Sequence, residues 1–168
     1  FEFKGLRMKR ILFIYIIIVF FSSCNSKTKF LKKDSQIFVY GPNSNSKLMQ
    51  TLTVNDLFIS YKYFNEKDSL KNLEIFFHKK DSTLIWGNDV YKESRLTYFN
   101  DKLKFKHYTN PNNLNTSHAI GLIFNKEYGL LCILHDRYFL FLKDSVLREK
   151  SEALLRDIIY KYVDKSHE

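Results

Sequence analysis

Alternation of apolar and polar residues is the main pattern in the middle of the chain. Leu73, Ile75 and Phe77 share one face, and Glu74 and His78 lie on the opposite one. Successive side chains of a strand point to opposite faces, so a period of two predicts strands, most of them with one buried face. Similar or shorter runs occur at 37–40, 57–63, 83–86, 95–99 and 103–107. Turn-forming residues separate the runs, at 41–43, 65–68, 79–81, 87–89 and 100–101.

Three later segments, 119–124, 128–135 and 138–142, are apolar at nearly every position. Such runs are typical of strands that are covered on both faces. The second cover is predicted to come from residues 145–165, where Leu154 and Ile158 share one side of a helix.

The helix also carries suitable end signals. Asp144 and Ser145 suit the cap of its first turn, and Lys161 and Lys165 complement the negative end of its dipole. We therefore predict an α+β fold. It consists of an antiparallel sheet of about seven to nine strands, a meander or a small barrel of lipocalin-like shape, with one C-terminal helix.

The N-terminal segment has the three parts of an export signal. Lys9 and Arg10 precede an uncharged apolar run at 11–21, and Ser22 and Ser23 follow it. The run has 11 residues, whereas a helix needs about 20 to cross a bilayer. We therefore predict an N-terminal signal helix ahead of the folded domain.

Phe21-Ser22-Ser23-Cys24 resembles the lipobox of bacterial lipoprotein precursors that are cleaved by signal peptidase II. The resemblance covers residues 8–24 and implies a diacylglycerol on Cys24, cleavage before it, and attachment to a membrane of the cell envelope. We expect the outer membrane, on its periplasmic or surface side. The implied division is a gene-model extension at 1–7, a signal peptide at 8–23, a tether at 24–34 and a single β-rich domain at 35–168.

Composition narrows the possible partners. The formal net charge is +9, but the excess comes from Lys, and no cluster of Lys and Arg stands out after residue 34. A nucleic-acid partner would require such a cluster, so none is expected. The chain has five Gly and no glycine-rich phosphate loop, so no nucleotide cofactor is expected.

Two histidines are the candidates for chemistry. If 103–108 and 118–124 formed a hairpin in which paired residue numbers sum to 225, His107 would lie opposite His118. Opposed side chains are close enough to share a metal ion, with Asp101, Glu127 or His135 as the third ligand. The alternative, a polar rim at the strand ends, is the interpretation that we prefer, so no metal site is predicted.

His135-Asp136-Arg137 and Cys132 are the remaining reactive side chains of note. The trio falls where the last two strands must turn, and Cys132 lies in an apolar run that suits a small buried side chain. We therefore predict no catalytic residue. The protein is expected to be a non-enzymatic envelope lipoprotein that binds a partner protein or envelope component. A carrier of an apolar ligand is the alternative, and an enzyme using His107 and His118 is a more distant one.

Overall fold

A computed structural model describes residues 31–42, 45–100, 103–112, 120–135, 137–144 and 148–163. The described part of the chain contains ten strands, a short 3₁₀ turn at Ser69–Lys71 and one α-helix. The strands are β1 (Leu31–Tyr40), β2 (Asn45–Val54), β3 (Phe58–Phe64), β4 (Leu73–His78), β5 (Thr83–Trp86), β6 (Asp89–Asn100), β7 (Leu103–Thr109), β8 (Gly121–Asn125), β9 (Gly129–Leu134) and β10 (Phe139–Leu142).

The strands form a meander that closes into a barrel. Each strand pairs antiparallel with the next along the chain, and β1 pairs with β10 to complete the ring. At the closure, Phe38 lies opposite Leu142 and Tyr40 opposite Leu140. Every strand thus finds both neighbours between residues 31 and 142, and the sheet needs no second chain to satisfy its edges.

The predicted fold class is confirmed: the protein is mostly antiparallel sheet with one C-terminal helix. The strand count is ten in the described residues rather than seven to nine. The sheet begins earlier than predicted, because β1 starts at Leu31 and includes residues 31–34 of the predicted tether. The predicted signal helix and Cys24 lie outside the described residues.

One face of the sheet lines the barrel interior. Alternate residues of each strand, such as Ile37, Tyr61, Ile75, Leu84 and Leu122, are fully buried there. This inner cluster includes the apolar positions that the period of two predicts for β4 and, apart from the exposed Leu57, for residues 57–63.

The helix α1 (Arg148–Val163) covers part of the outer face. Ile158 is fully buried in a second cluster with Leu131, Cys132 and Leu140, and Leu154 packs against them. β8, β9 and β10 are therefore apolar on both faces because the barrel interior covers one and α1 covers the other, as predicted.

The two ends of the barrel differ in their connections. We call the mouth the end that carries the β1–β2, β3–β4, β5–β6, β7–β8 and β9–β10 connections, and the base the opposite end. Because neighbouring strands are antiparallel, β1 begins at the base, at Leu31. The chain therefore enters the barrel at the end away from the mouth.

Candidate functional site

The base half of the barrel is filled by aromatic rings. Phe124 packs edge-to-face on Tyr61, with ring centroids 5.0 Å apart, and on Tyr108 at 5.9 Å, and it stacks on Phe77 at 5.8 Å. Such contacts add to the free energy of burying the rings themselves. This half therefore forms a packed core that closes the barrel below the mouth.

A buried polar brace crosses the middle of the barrel. The Nε2 of Gln50 donates to the hydroxyl of Tyr63 at 3.1 Å and to the carbonyl of Tyr128 at 3.2 Å. Its Oε1 accepts from the hydroxyl of Ser35 at 2.8 Å. The backbone N–H of Leu130 donates to the Tyr63 hydroxyl at 2.7 Å. Burial raises the pKa of the Tyr63 phenol, so this group stays neutral while it joins opposite walls.

The mouth half is open. The edge of the Tyr63 ring meets Phe141 with centroids 5.4 Å apart and forms a floor. Above it lies a cavity of about 580 Å³, within the range of about 300–1,000 Å³ that is usual for small-molecule sites. Its walls are mainly apolar, and four polar residues among those described complete the lining. The apolar walls are formed by Val39, Leu48, Leu73, Trp86, Ile133 and Phe139.

A hydrogen-bonded loop at 65–72 forms one side of the rim. The side chain of Asn65 accepts from the backbone N–H of Lys67 at 2.9 Å, and that of Asp68 accepts from Leu70 at 3.1 Å. The Oδ1 of Asn72 accepts from the N–H of Asn65 at 2.8 Å. These bonds fix the 3₁₀ turn that places Leu70 at the cavity, where its side chain is 94% exposed. Leu70 therefore extends the apolar surface of the cavity to its rim.

Two other hollows are less suited to a small apolar ligand. One, of about 560 Å³, lies between the start of β2 and the 65–72 loop, and charged side chains of both signs line it, including Lys47, Glu66 and Lys67. The other, of about 240 Å³, lies at the base beside the Lys106–Glu93 ion pair. Of these three cavities in the described residues, the mouth combines size with mainly apolar walls.

His107 does not face this cavity. The observed register of β7 and β8 places it opposite Ile123, five residues from the partner that the 225 sum predicts, so the proposed hairpin register is wrong. An odd shift exchanges the two faces of a strand. His107 lies on the outer face, where its Nδ1 is 2.9 Å from the hydroxyl of Ser94. Burial lowers the pKa of His107 to about 4, so the ring is neutral near pH 7.

The other metal-ligand candidates do not converge in the described residues. His118 and Asp101 lie outside them. Glu127 is in the β8–β9 turn at the base, whereas His135 follows β9 at the mouth and lines its cavity. No group of three His, Cys, Asp or Glu side chains that could hold a metal ion occurs among the residues that the structure describes.

His135 and Arg137 lie in a connection between strands, and Cys132 lies in the core. His135 and Arg137 lie between β9 and β10, where a turn is predicted, and Asp136 is outside the described residues. Cys132 is fully buried between the sheet and α1, and burial raises the pKa of its thiol. A protonated thiol away from solvent is a poor nucleophile.

No sequence motif predicts the cavity at the mouth. Trp86 and Phe139 each lie at the mouth end of a short strand, at inward positions. Because the direction alternates from strand to strand in a meander, the end of β5 and the start of β10 lie at the same end of the barrel. The turns at 87–89 and 135–138 mark that end. The signal was therefore present in the order of the turns rather than in any motif.

Comparisons with known proteins identify no relative. No family model, no curated protein and no solved structure matches the chain. Among the described residues, no helix combines the length and the hydrophobicity needed to span a bilayer.

Proposed function

We propose that the protein is an envelope lipoprotein, lipidated on Cys24, whose barrel binds a small apolar ligand in the mouth. The observation that carries the proposal is the cavity of about 580 Å³ above a plugged base. Antiparallel barrels of this general size can hold one small ligand inside their wall.

Burial of the ligand would supply the binding free energy. Apolar surface that leaves water contributes about 25 cal/mol per Å². The ring of Trp86 and the side chains of Leu48 and Ile133 offer such surface around one space. Leu70 at the rim would be covered as well, which removes the most exposed large apolar side chain that the structure describes.

The point at which the chain enters the barrel suits an anchored receptor. Leu31 is seven residues after Cys24, and an extended chain spans at most about 3.6 Å per residue, so the tether reaches no more than about 25 Å. Since Leu31 lies at the base, a lipid on Cys24 would hold the base toward the bilayer. The mouth would then point away from it.

The proposed role is binding rather than catalysis. Among the histidines that the structure describes, His107 has a strongly lowered pKa, and it lies on the outer face of the barrel and not in the mouth. Apart from Lys71 and His135, the described side chains that line the mouth carry no ionisable group.

The anchor predicts a defined loss in one variant. Cys24→Ser removes the thiol that would take the lipid, so labelled palmitate should no longer be incorporated and the protein should leave the lipid-modified fraction. The Cys132→Ser variant is the control, because this thiol is buried, and it should label as the wild type does. Equal labelling of the wild type and Cys24→Ser would contradict the anchor.

Ligand binding predicts a different effect at each end of the barrel. Trp86 is the chain's single tryptophan and lines the mouth, so its emission should shift as 1-octanol is titrated into residues 31–168. Phe139→Ala removes a ring from the mouth and should weaken binding about tenfold, since about 50 Å² of lost contact is worth roughly 1.3 kcal/mol.

Phe99→Ala is the matched control for this titration. It removes the same ring from the base end of β6, where Phe99 is 63% exposed, and should leave octanol binding unchanged. An emission that does not respond to octanol, or equal weakening by both variants, would contradict binding in the mouth.

A further inference from the structure

The ionisable side chains that line the mouth are all bases among the described residues. Among the described residues that line the cavity, Lys71 and His135 carry ionisable groups, and none is an Asp or a Glu. Ser46 and Asn72 supply the remaining polar side chains. A cavity with apolar walls and a cation at its edge favours a ligand that has an apolar part and an anionic part.

Lys71 is held at the rim by its own loop. It ends the 3₁₀ turn, where its backbone N–H donates to the carbonyl of Asp68 at 3.1 Å. Its ammonium lies 3.3 Å from the carboxylate of Asp68, and its side chain remains 58% exposed. An ammonium has three donors, so Lys71 can keep this pair and still bind an anion that arrives from the cavity.

The cavity is shallow along the barrel axis. On β2 the inward residues run from Ser46 to Leu48, which line the cavity, to Gln50, which belongs to the brace below it. Four residues of strand at about 3.3 Å each span roughly 13 Å, which a strand tilt of about 40° reduces to a depth of roughly 10 Å along the axis. A short apolar group would fill this depth, and a polar head attached to it would lie at the rim.

From this arrangement we infer that the ligand is an amphiphile with an anionic head group, whose apolar part enters the mouth and whose head pairs with Lys71. This inference rests on the proposed function, since it assigns a ligand class to the same cavity. A cationic head would meet Lys71 as a like charge, and a neutral head would gain at most a hydrogen bond without the added attraction between opposite charges.

Calorimetric titration of residues 31–168 with octanoate, 1-octanol and octylamine tests the head group with the chain length held constant. Lys71→Met keeps most of the apolar stem and removes the charge. It should weaken octanoate binding about two- to fivefold, which is the range for a partly exposed ion pair, and weaken octanol binding less. Octylamine should bind the wild type more weakly than it binds the variant.

Asp68→Asn gives the opposite expectation. An Asn at this position keeps an oxygen that accepts from the N–H of Leu70 and loses the charge that competes for Lys71, so octanoate should bind more tightly. Lys80→Met, in the β4–β5 turn at the base, removes a charge far from the mouth and controls for the net charge of the protein.

The outcomes separate the inference from the proposed function. If octanol binds and Lys71→Met changes octanoate and octanol equally, or changes neither, the anionic head group is wrong and the apolar cavity stands. If neither octanol nor octanoate binds the wild type, both fail. Loss of octanoate affinity in Lys71→Met alone, with Lys80→Met unaffected, supports the inference.

Discussion

Gly129→Ala should destabilise the domain by about 3–5 kcal/mol, a large part of the 5–15 kcal/mol that is typical of a folded domain. Gly129 has a φ of +95°, a conformation that L side chains rarely adopt. A Cβ there would lie 2.6 Å from the hydroxyl of Tyr63 and would also overlap the Nε2 of Gln50. Neither group can retreat without breaking the buried polar brace.

The magnitude follows from three separate penalties. A non-glycine residue at positive φ costs about 1–2 kcal/mol, overpacking typically costs about 1–3, and a buried polar group left without a partner costs about 1–3. These penalties overlap in part, because moving Tyr63 relieves the overlap and breaks its bond to Leu130 at the same time.

Gly87→Ala is the matched control. Gly87 also has a positive φ, of +60°, but a Cβ added there meets no atom within 4 Å. It should therefore show the backbone penalty alone, about 1–2 kcal/mol. Urea unfolding of both variants gives the comparison, and equal losses of stability would show that the brace does not constrain the site as the structure indicates.

Ile158→Asp should cost several kcal/mol, because it places a carboxylate at a position with no solvent exposure between α1 and the sheet. The apolar outer faces of β8, β9 and β10 depend on this cover, so the variant should also bind a hydrophobic dye more strongly. Tyr160→Asp is the control on the same helix, since its side chain is 71% exposed, and it should change the unfolding free energy little. Equal effects of the two variants would mean that α1 does not pack as described.

Local alternation predicted some strands well and others not at all. In β4 the inward residues Leu73, Ile75 and Phe77 are all apolar, so the period of two is plain in the sequence. In β2 the inward positions include Ser46 and Gln50, and the strand was not predicted. Gln50 is buried because it bonds Tyr128, which is 78 residues away, and no local pattern contains that bond.

The β7–β8 register failed for a related reason. Leu122, Ile123 and Phe124 are apolar on both faces, so matching apolar residues across the hairpin does not choose between registers that differ by an odd number. Because α1 covers the outer face, an apolar side chain on that face is not exposed to water, and burial does not select one register over the other.

The candidate site could be predicted only in part. The apolar strand residues are visible in the sequence, but the cavity exists because β1 closes on β10 across about 100 residues of chain. The brace through Tyr63 sets where packing stops and the open mouth begins, and it too depends on contacts between distant strands.

Occupation of the mouth can be measured at a single atom pair, the indole N–H of Trp86. As the chain has one tryptophan, ¹⁵N-labelled protein should show one indole resonance. A saturable shift of this resonance on addition of 1-octanol, together with shifts at Leu48 and Phe139 and none at Leu57 or Phe99 near the base, is the expected result. An indole resonance that stays fixed while residues at the base shift would contradict a ligand site in the mouth.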